Sequence, residues 1–333
     1  MMRIAVLIPC YNEEPAISKV VRDFHHSLPD ASIHVYDNNS TDGTAVAART
    51  AGASVRRERL QGKGHVVRRM FADIEADIYV LVDGDDTYEA IDAPRMVQLL
   101  VDEQLDMVNG ARVTEIRAAY RPGHRFGNVM LTGMVGRIFG NRVSDMLSGY
   151  RVFSRRFVKT FPTRASGFEI ETEFTVHALE LGMAVGEVRT AYRDRPVGST
   201  SKLHTYADGI RIFRTILILA KEERPLQFFS LLGLLALMAS LLLGVPVIIE
   251  FVRTGLVPRL PSAVLSTGLM LISFLCLVCG LILETVTRGR QESKRLAYLA
   301  VPAVGADGPR ATVAKPILLR RGLPRQTGGS DRY

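Results

Sequence analysis

The 333-residue sequence has no tryptophan and only three cysteines, Cys10, Cys276 and Cys279. Three scattered thiols give neither a disulfide framework nor a zinc ligand set. Cys276 and Cys279 have the spacing of a redox pair, but they lie inside an apolar stretch with no second pair, so they read as membrane filler. Acidic residues are the scarcer charge, 34 against 42 basic ones, which leaves a net charge of +8. The basic residues form no dense cluster, and many flank apolar runs, where positive charge marks the cytosolic side of a membrane. Nucleic acid is therefore not expected as a partner. The apolar run within Met1 to Pro9 is too short for a signal peptide and lacks a small-residue cleavage site. It reads as the first strand of a domain that stays in the cytosol.

What the sequence does contain is organised around Ile78 to Thr87. Ile78-Tyr79-Val80-Leu81-Val82 is an apolar run suited to a central parallel strand, and it leads directly into Asp83-Gly84-Asp85-Asp86-Thr87. Ligands of open α/β sheets bind beyond the carboxyl ends of such strands. Carboxylates crowded there repel one another unless a cation sits between them, and hard oxygen donors suit Mg²⁺ or Mn²⁺. An acidic turn leading into a helix is the plainer alternative at this point.

Strand and helix patterns alternate before and after this stretch. Arg3 to Ile8 is the first expected strand, ended by Pro9. A helix with Ile17, Val20, Val21, Phe24 and Leu28 at spacings of three and four follows. Strands at Ser32–Tyr36 and Ala53–Arg56 flank an alanine-rich helix capped by Thr41 or Asp42, and Gln61-Gly62-Lys63-Gly64 opens another helix. Asp106–Val113 and Ala184–Thr190 complete the strands, with a helix around Glu169, Glu171, Glu173 and His177 between them. This order predicts an α/β domain with a mostly parallel, Rossmann-like sheet covered on both faces. From Arg117 to Arg142 the alternation fails, and the spacing of Arg121, Arg125 and Asn128 places them on one helical face.

Leu226–Ile249 and Leu260–Leu283 each hold about 24 residues without a charge, against ~20 needed to span a bilayer. Lys221 and Arg224 precede the pair, and Arg288, Arg290, Lys294 and Arg295 follow it, which keeps both flanks cytosolic. Pro246 sits near the end of the first run, where it can kink the helix. Ile210, Phe213, Leu217 and Ala220 share a face of a preceding helix suited to the membrane interface. The expected organisation is a catalytic domain over 1–203, a juxtamembrane helix over 204–224 and a hairpin over 225–287, with helices near 226–250 and 261–284. A basic tail, disordered at its end, covers 288–333.

Three polar loops now fall at the ends of three parallel strands: Pro9 to Glu13, Asp37 to Thr44, and Asp83 to Asp85. With Gly110-Ala111-Arg112, Arg125 and Asn128, Asp145 to Arg151, Gly167-Phe168 with Glu173, and Arg195 through Ser201-Lys202-Leu203, the ordered set resembles the family 2, GT-A-fold glycosyltransferases. Within them it resembles the dolichyl- and undecaprenyl-phosphate sugar synthases, and the two-helix tail resembles their GtrB-like branch. The resemblance covers roughly residues 3–210 and implies a role for each motif. Pro9, Tyr11, Asn12, Glu13, Asp37 and Asn38 would hold the base and ribose of a nucleotide sugar. Asp83 would face the ribose side and share with Asp85 a Mg²⁺ or Mn²⁺ that bridges the diphosphate. Lys63, Arg195 and Lys202 would lie over the diphosphate. Arg112, Arg125, Asn128 and Arg151 would clamp the acceptor phosphate, with Asp145, Glu171 and Glu173 behind them as orienting groups. Relatives often carry glutamine as a further metal ligand where this chain has Thr87. Asp86 reads as a helix-entry residue or a support for the metal pair.

The residue types fit an acceptor that is already ionised. A hydroxyl acceptor needs a general base, whereas a phosphate monoester with second pKa ≈ 6 needs only cations to hold it. The implied reaction is inverting transfer of a hexose from a UDP- or GDP-sugar to a polyprenyl phosphate at a membrane, with a homo-oligomer left open. Two alternatives stand beside it. In one, Glu171 or Glu169 acts as base for a lipid or glycan hydroxyl; in the other, the chain is a non-catalytic nucleotide-sugar binder. A processive synthase would need more membrane helices than two.

Overall fold

A computed structural model describes residues 2–113, 143–162, 165–167, 169–193 and 220–305, together with a few isolated positions between them. Arg121, Arg125, Asn128, Arg195 and Lys202 lie outside the described residues, as do Phe168, Ser201, Leu203, most of 204–219 and everything beyond Gly305.

Seven strands form one sheet: β1 (Ile4–Cys10), β2 (Ser32–Asp37), β3 (Ser54–Arg57), β4 (Ile78–Leu81), β5 (Met107–Val113), β6 (Arg151–Ser154) and β7 (Val185–Ala191). Their order across the sheet is β3-β2-β1-β4-β6-β5-β7. All neighbours are parallel except β6, which runs antiparallel between β4 and β5. The sheet is thus mixed, mostly parallel, as its regular strand–helix alternation requires. The reversed strand β6 is one that the sequence pattern did not separate from the polar motif before it. Only Val152 and Phe153 lie between Arg151 and Ser154, which is too short a run to show a period.

Side chains alternate across the sheet with period two, and both faces are covered. Val6, Ile8, Val80 and Val152 pack against α1 (Glu14–Ser27) and α4 (Ala93–Asp102), through Ile17, Phe24, Met96 and Leu100. Ala5, Leu7, Tyr79 and Phe153 face α3 (Lys63–Asp73), α5 (Arg155–Thr160) and α6 (Ile170–Glu180). Phe153 stacks on Phe157 at 4.5 Å between ring centroids and lies 4.9 Å from Phe174, so this face is largely aromatic. The short α2 (Thr44–Thr50) covers the β2 and β3 end.

Pro9 is accommodated inside β1 rather than ending it. The Leu7 carbonyl accepts from Val82 N, so Pro9, two residues on, turns its nitrogen to the same side. The β1–β4 pairing already ends at Leu7 and Leu81, so the missing N–H breaks no ladder bond. On its other side β1 continues to pair with β2 through Cys10 and Asp37.

Two long apolar helices follow the sheet domain, α7 (Pro225–Thr254) and α8 (Leu260–Leu299). Both are long and apolar enough to cross a membrane, and most of their leucines face outward. They pack against each other, with Ser240 Oγ donating to Ser266 O at 2.8 Å and Ser266 Oγ donating to Ser240 O at 2.9 Å. Pro246 lies within α7 without ending it. Helix α8 does not stop at the end of its apolar run. It continues through the first part of the expected basic tail and docks on the sheet domain.

Candidate active site

Parallel strands carry their following loops to one edge, and here β1, β2 and β4 deliver all three carboxylate-bearing loops together. Because β6 is reversed, its first residues meet them there: Leu81 of β4 pairs with Arg151. The C-terminal end of β5 brings Arg112 to the same edge, and the first turns of α3 and α6 bring Lys63 and Glu171.

The loops after β1 and β2 are tied to each other. Asn12 N donates to Ser40 Oγ at 2.9 Å, Thr41 N donates to Asn12 Oδ1 at 2.8 Å, and Glu13 N donates to Thr44 Oγ1 at 2.8 Å. Asn12 and Asn39 take left-handed backbones, with φ of 52° and 66°, a region that asparagine tolerates better than most residues. The Asp37 carboxylate accepts from Ser40 N and is largely buried. Tyr11 remains exposed beside these loops. Asn38 differs from its expected role. Its amide donates to the Glu58 and Leu60 carbonyls, and its oxygen accepts from Gly62 N at 2.7 Å. With those groups committed it braces the loop before α3, and a direct hold on a donor is not its part.

The centre of the edge is an ion cluster. Lys63 Nζ lies 2.5 Å from Asp83 Oδ1 and 2.6 Å from Glu171 Oε1, with only 8% of its side chain exposed. Burial pushes the ammonium pKa down, but Asp83 and Glu171 outweigh it and hold Lys63 above the usual lysine range. Burial raises Glu171, and Lys63 pulls it part of the way back. The lysine expected over a diphosphate is instead enclosed between two carboxylates and fixes Asp83. Glycine is required on either side. A Cβ at Gly62 or Gly64 would run into the Ser166 or Ala165 carbonyl, and Gly64 N donates to Ser166 O at 3.1 Å. The 165–167 turn is itself held by Glu169, which accepts from Ser166 N and Gly167 N, and by Glu173, which accepts from Ala165 N at 3.1 Å.

Asp85 is 4% exposed, and its Oδ1 accepts from Thr87 Oγ1 at 2.6 Å. Thr87, at 1% exposure, donates its hydroxyl to Asp85 and orients that carboxylate. Asp86 sits at φ 58° and pairs with Lys19 at 2.8 Å, which anchors the turn to α1. Among the described residues, no group of three or more His, Cys, Asp or Glu side chains forms a metal centre. Of the described residues, Asp83 and Asp85 are the candidate protein ligands. The space around Asp83 fits that use: a Cβ at Gly149 would fall on its Oδ2, so only glycine there leaves the carboxylate its room. Gly149 N also donates to the buried Tyr88 hydroxyl at 3.0 Å. Neither residue was singled out from the sequence. Gly149 had a signal, its place two residues before Arg151, whereas Tyr88 had none.

The arginines divide. Arg112 forms a two-pronged pair with Asp145, Nε to Oδ2 at 2.7 Å and Nη2 to Oδ1 at 2.8 Å, and lies over the Tyr192 ring. Such planar pairing fixes the guanidinium at the edge of the site. Arg151 lies elsewhere than the acceptor clamp expected of it. It is completely buried, donates to the carbonyls of Met146 and Ser148 and to Thr175 Oγ1, and packs over Phe174. Burial lowers its pKa to about 10. A guanidinium enclosed this way does not reach an acceptor phosphate; it shapes the 146–148 turn on which Gly149 stands.

Comparison with known proteins identifies the family and the fold. The profile of Glycosyl transferase family 2 matches residues 5–161. The chain is 33% identical over 299 residues to the glycosyltransferase AglJ of Haloferax volcanii, covering 89% of this chain and 98% of that protein. It is 29% identical over 222 residues to a dolichyl-phosphate hexose transferase of the same organism, covering 66% of this chain and 95% of the relative. Among solved structures, glucosyl-3-phosphoglycerate synthase of Mycobacterium tuberculosis, in complex with Mn²⁺, UDP and glucosyl-3-phosphoglycerate, superposes with a TM-score of 0.53. That match has 24% identity and covers 65% of this chain and 79% of the other, a likeness of fold. On the strength of the full-length relative and the matched domain, the chain belongs to glycosyl transferase family 2.

Proposed function

We propose that this glycosyltransferase moves a hexose from a nucleotide sugar to a polyprenyl phosphate at the cytosolic surface of a membrane, with inversion at the sugar. The observation that carries the acceptor class concerns the two candidate bases. Glu171 is buried and ion-paired to Lys63 at 2.6 Å, and Glu169 is committed to the 166–167 backbone. A base that must take a proton from a hydroxyl needs access to it. A phosphate acceptor has no such proton to give up, and it needs cationic N–H groups such as those Arg112 brings to the edge.

On this reading the exposed Tyr11 ring lies against the nucleobase and the Asp37 carboxylate takes the ribose hydroxyls. Asp83 and Asp85 would hold Mg²⁺ or Mn²⁺, which would supply charge stabilisation to the departing nucleoside diphosphate, and Lys63 keeps Asp83 in place. Pro9, Asn12, Glu13 and Asn38 keep the donor loops in register. Arg125, Asn128, Arg195 and Lys202 are assigned by resemblance to the phosphates of acceptor and donor. The two apolar helices and their basic flanks support a membrane setting with both flanks cytosolic.

The test uses the full-length protein in lipid with labelled UDP- and GDP-sugars, offering polyprenyl phosphate and diacylglycerol as competing acceptors. The expected product is a lipid-linked sugar formed only from the phosphate acceptor and only with Mg²⁺ or Mn²⁺. The Glu171→Gln variant should still turn over that acceptor. Sugar appearing on diacylglycerol, with all turnover lost in Glu171→Gln, would establish the hydroxyl alternative instead.

A further inference from the structure

An anchor needs only to be apolar, yet α8 is bonded to the elements that carry the site. Lys294 Nζ lies 2.6 Å from Glu180 Oε2, at the last residue of α6, and 3.7 Å from Glu223 Oε1. All three side chains are buried or nearly so, and they line a small cavity with Phe161, Val176 and His177. Glu180 Oε1, Glu223 Oε2 and His177 Nδ1 at this cavity, and Arg290 Nε beside it, have no hydrogen-bond partner among the described residues. Arg290 meets Glu223 at 2.9 Å and the Glu222 carbonyl at 2.7 Å, which ties the segment before the hairpin into the same joint. One turn beyond Lys294, Tyr298 OH donates to Asp106 Oδ2 at 2.8 Å. Arg156 donates to the Tyr298 hydroxyl at 2.8 Å and to the Val301 carbonyl at 3.0 Å.

The far ends of the gripped elements hold the site. Helix α6 has Glu180 at its last residue and Glu171 in its first turn, a rise of ~14 Å at 1.5 Å per residue. Glu171 holds Lys63, and Lys63 holds Asp83. Midway, Thr175 receives Arg151. Asp106 directly precedes β5, whose other end presents Arg112. Packed elements of this kind move as units, so the position of α8 is passed to both sides of the candidate site.

We propose that Lys294 is a positioning residue for glycosyl transfer, and that the cytosolic half of α8 is part of the scaffold of the site. Through Glu180 it sets the rotation and depth of α6, and hence the Glu171–Lys63–Asp83 cluster. Tyr298 does the same for β5 through Asp106. The inference rests on glycosyl transfer occurring at this edge, whatever the donor or acceptor.

The experiment compares Lys294→Gln, Lys294→Arg and Tyr298→Phe in the full-length protein in lipid nanodiscs, with the exposed Arg288→Gln as control. Turnover is read with donor KM, along with binding of UDP in the presence of Mn²⁺ and hydrogen exchange across α6 and residues 61–64. Lys294→Gln is expected to lower turnover ~10-fold with donor KM changed by less than about 2-fold, and to speed exchange in the first turn of α6. Lys294→Arg should restore both, because it keeps the charge, and Arg288→Gln should change neither. Faster exchange confined to the last turn of α6 with turnover intact would overturn the proposal, as would an arginine variant no better than glutamine. If Lys294→Gln fails to fold, Tyr298→Phe, which removes one hydroxyl, carries the test: it should lower turnover about 3-fold and speed exchange in β5, and unchanged values refute the coupling. If the wild type transfers to no lipid offered, exchange decides the matter: no faster exchange in the first turn of α6 and residues 61–64 in Lys294→Gln refutes the coupling.

Discussion

At the scale of single residues, Lys63 has the clearest consequences. Its ammonium separates two carboxylates on different elements, and both lie close enough to repel once it is gone. Removing one partner of a buried ion pair costs about 3–5 kcal/mol, because the remaining charge stays buried and unpaired. Lys63→Met should therefore lower the thermal midpoint markedly, and adding Glu171→Gln should recover part of the loss, a non-additivity that a double-mutant cycle measures. Gly149→Ala should behave differently. The methyl group presses on the Asp83 carboxylate rather than on the core, so Mn²⁺-dependent nucleotide binding should weaken about 10-fold or more while the thermal midpoint shifts little. Thermal shift with and without Mn²⁺ and UDP separates the two effects. The placement of Asp83, Asp85, Asp37 and Tyr11 at the ends of strands was legible in the sequence, because a polar loop directly after an apolar run announces a strand end. Arg151 was not. An arginine in a polar motif reads alike whether it faces a ligand or is enclosed by carbonyls, and only the reversal of β6 turns it inward. Asn38 was misread for a related reason, since its partners are backbone groups about twenty residues away that no side-chain pattern reveals.

At the scale of elements, the reversed strand β6 passes directly into α5, and Ser154 makes the turn. Its Oγ accepts from Phe157 N as the helix cap and donates to Asp106 Oδ1 at 2.9 Å. Ser154→Ala removes both, and a lost cap of this kind costs about 1 kcal/mol, up to ~2. The expected result is a drop of a few degrees in the thermal midpoint, with site geometry preserved as judged by unchanged Mn²⁺ and UDP binding. The parallel strands and their covering helices were legible because each repeats a period over enough residues. Strand β6 and helix α5 are too short for that, and their existence depends on long-range pairing with β4 and β5. The two apolar helices were legible at once from length and absence of charge. The continuation of α8 to Leu299 was not, because its polar residues are helix-compatible without being periodic in hydrophobicity.

At the scale of the whole molecule, the junction between sheet domain and hairpin should respond to pH. Glu180 is pushed up to about 7, first by burial and next by the Glu223 charge, with Lys294 opposing both. His177 on the same helix is pushed down to about 3 by burial and by Lys294, so it stays neutral across the working range. Glu173, Glu222 and Arg290 are the other charged groups around the joint among the described residues. A folded-state pKa above the unfolded value means that folding favours the protonated carboxyl. Stability from this group is therefore complete below about pH 4.5 and is lost as pH rises through about 7. Hydrogen exchange in the 288–299 segment should be slower at pH 6 than at pH 8 once corrected for intrinsic rates. Glu180→Gln should remove that difference. A joint that loosens as pH falls would contradict the assignment.

The length of α8 carries one more consequence. It has 40 residues, whereas about 20 suffice to cross the hydrocarbon layer. The surplus is a stalk of roughly 30 Å at 1.5 Å per residue. On the membrane placement proposed above, this stalk, bonded to the sheet domain near its tip, would count out the elevation of the candidate site above the lipid in helical residues instead of leaving it to a loose tether. Bilayer thickness would then act as a mechanical setting. A thicker membrane would draw the stalk inward and lower the site toward the headgroups, and a thinner one would lift it away.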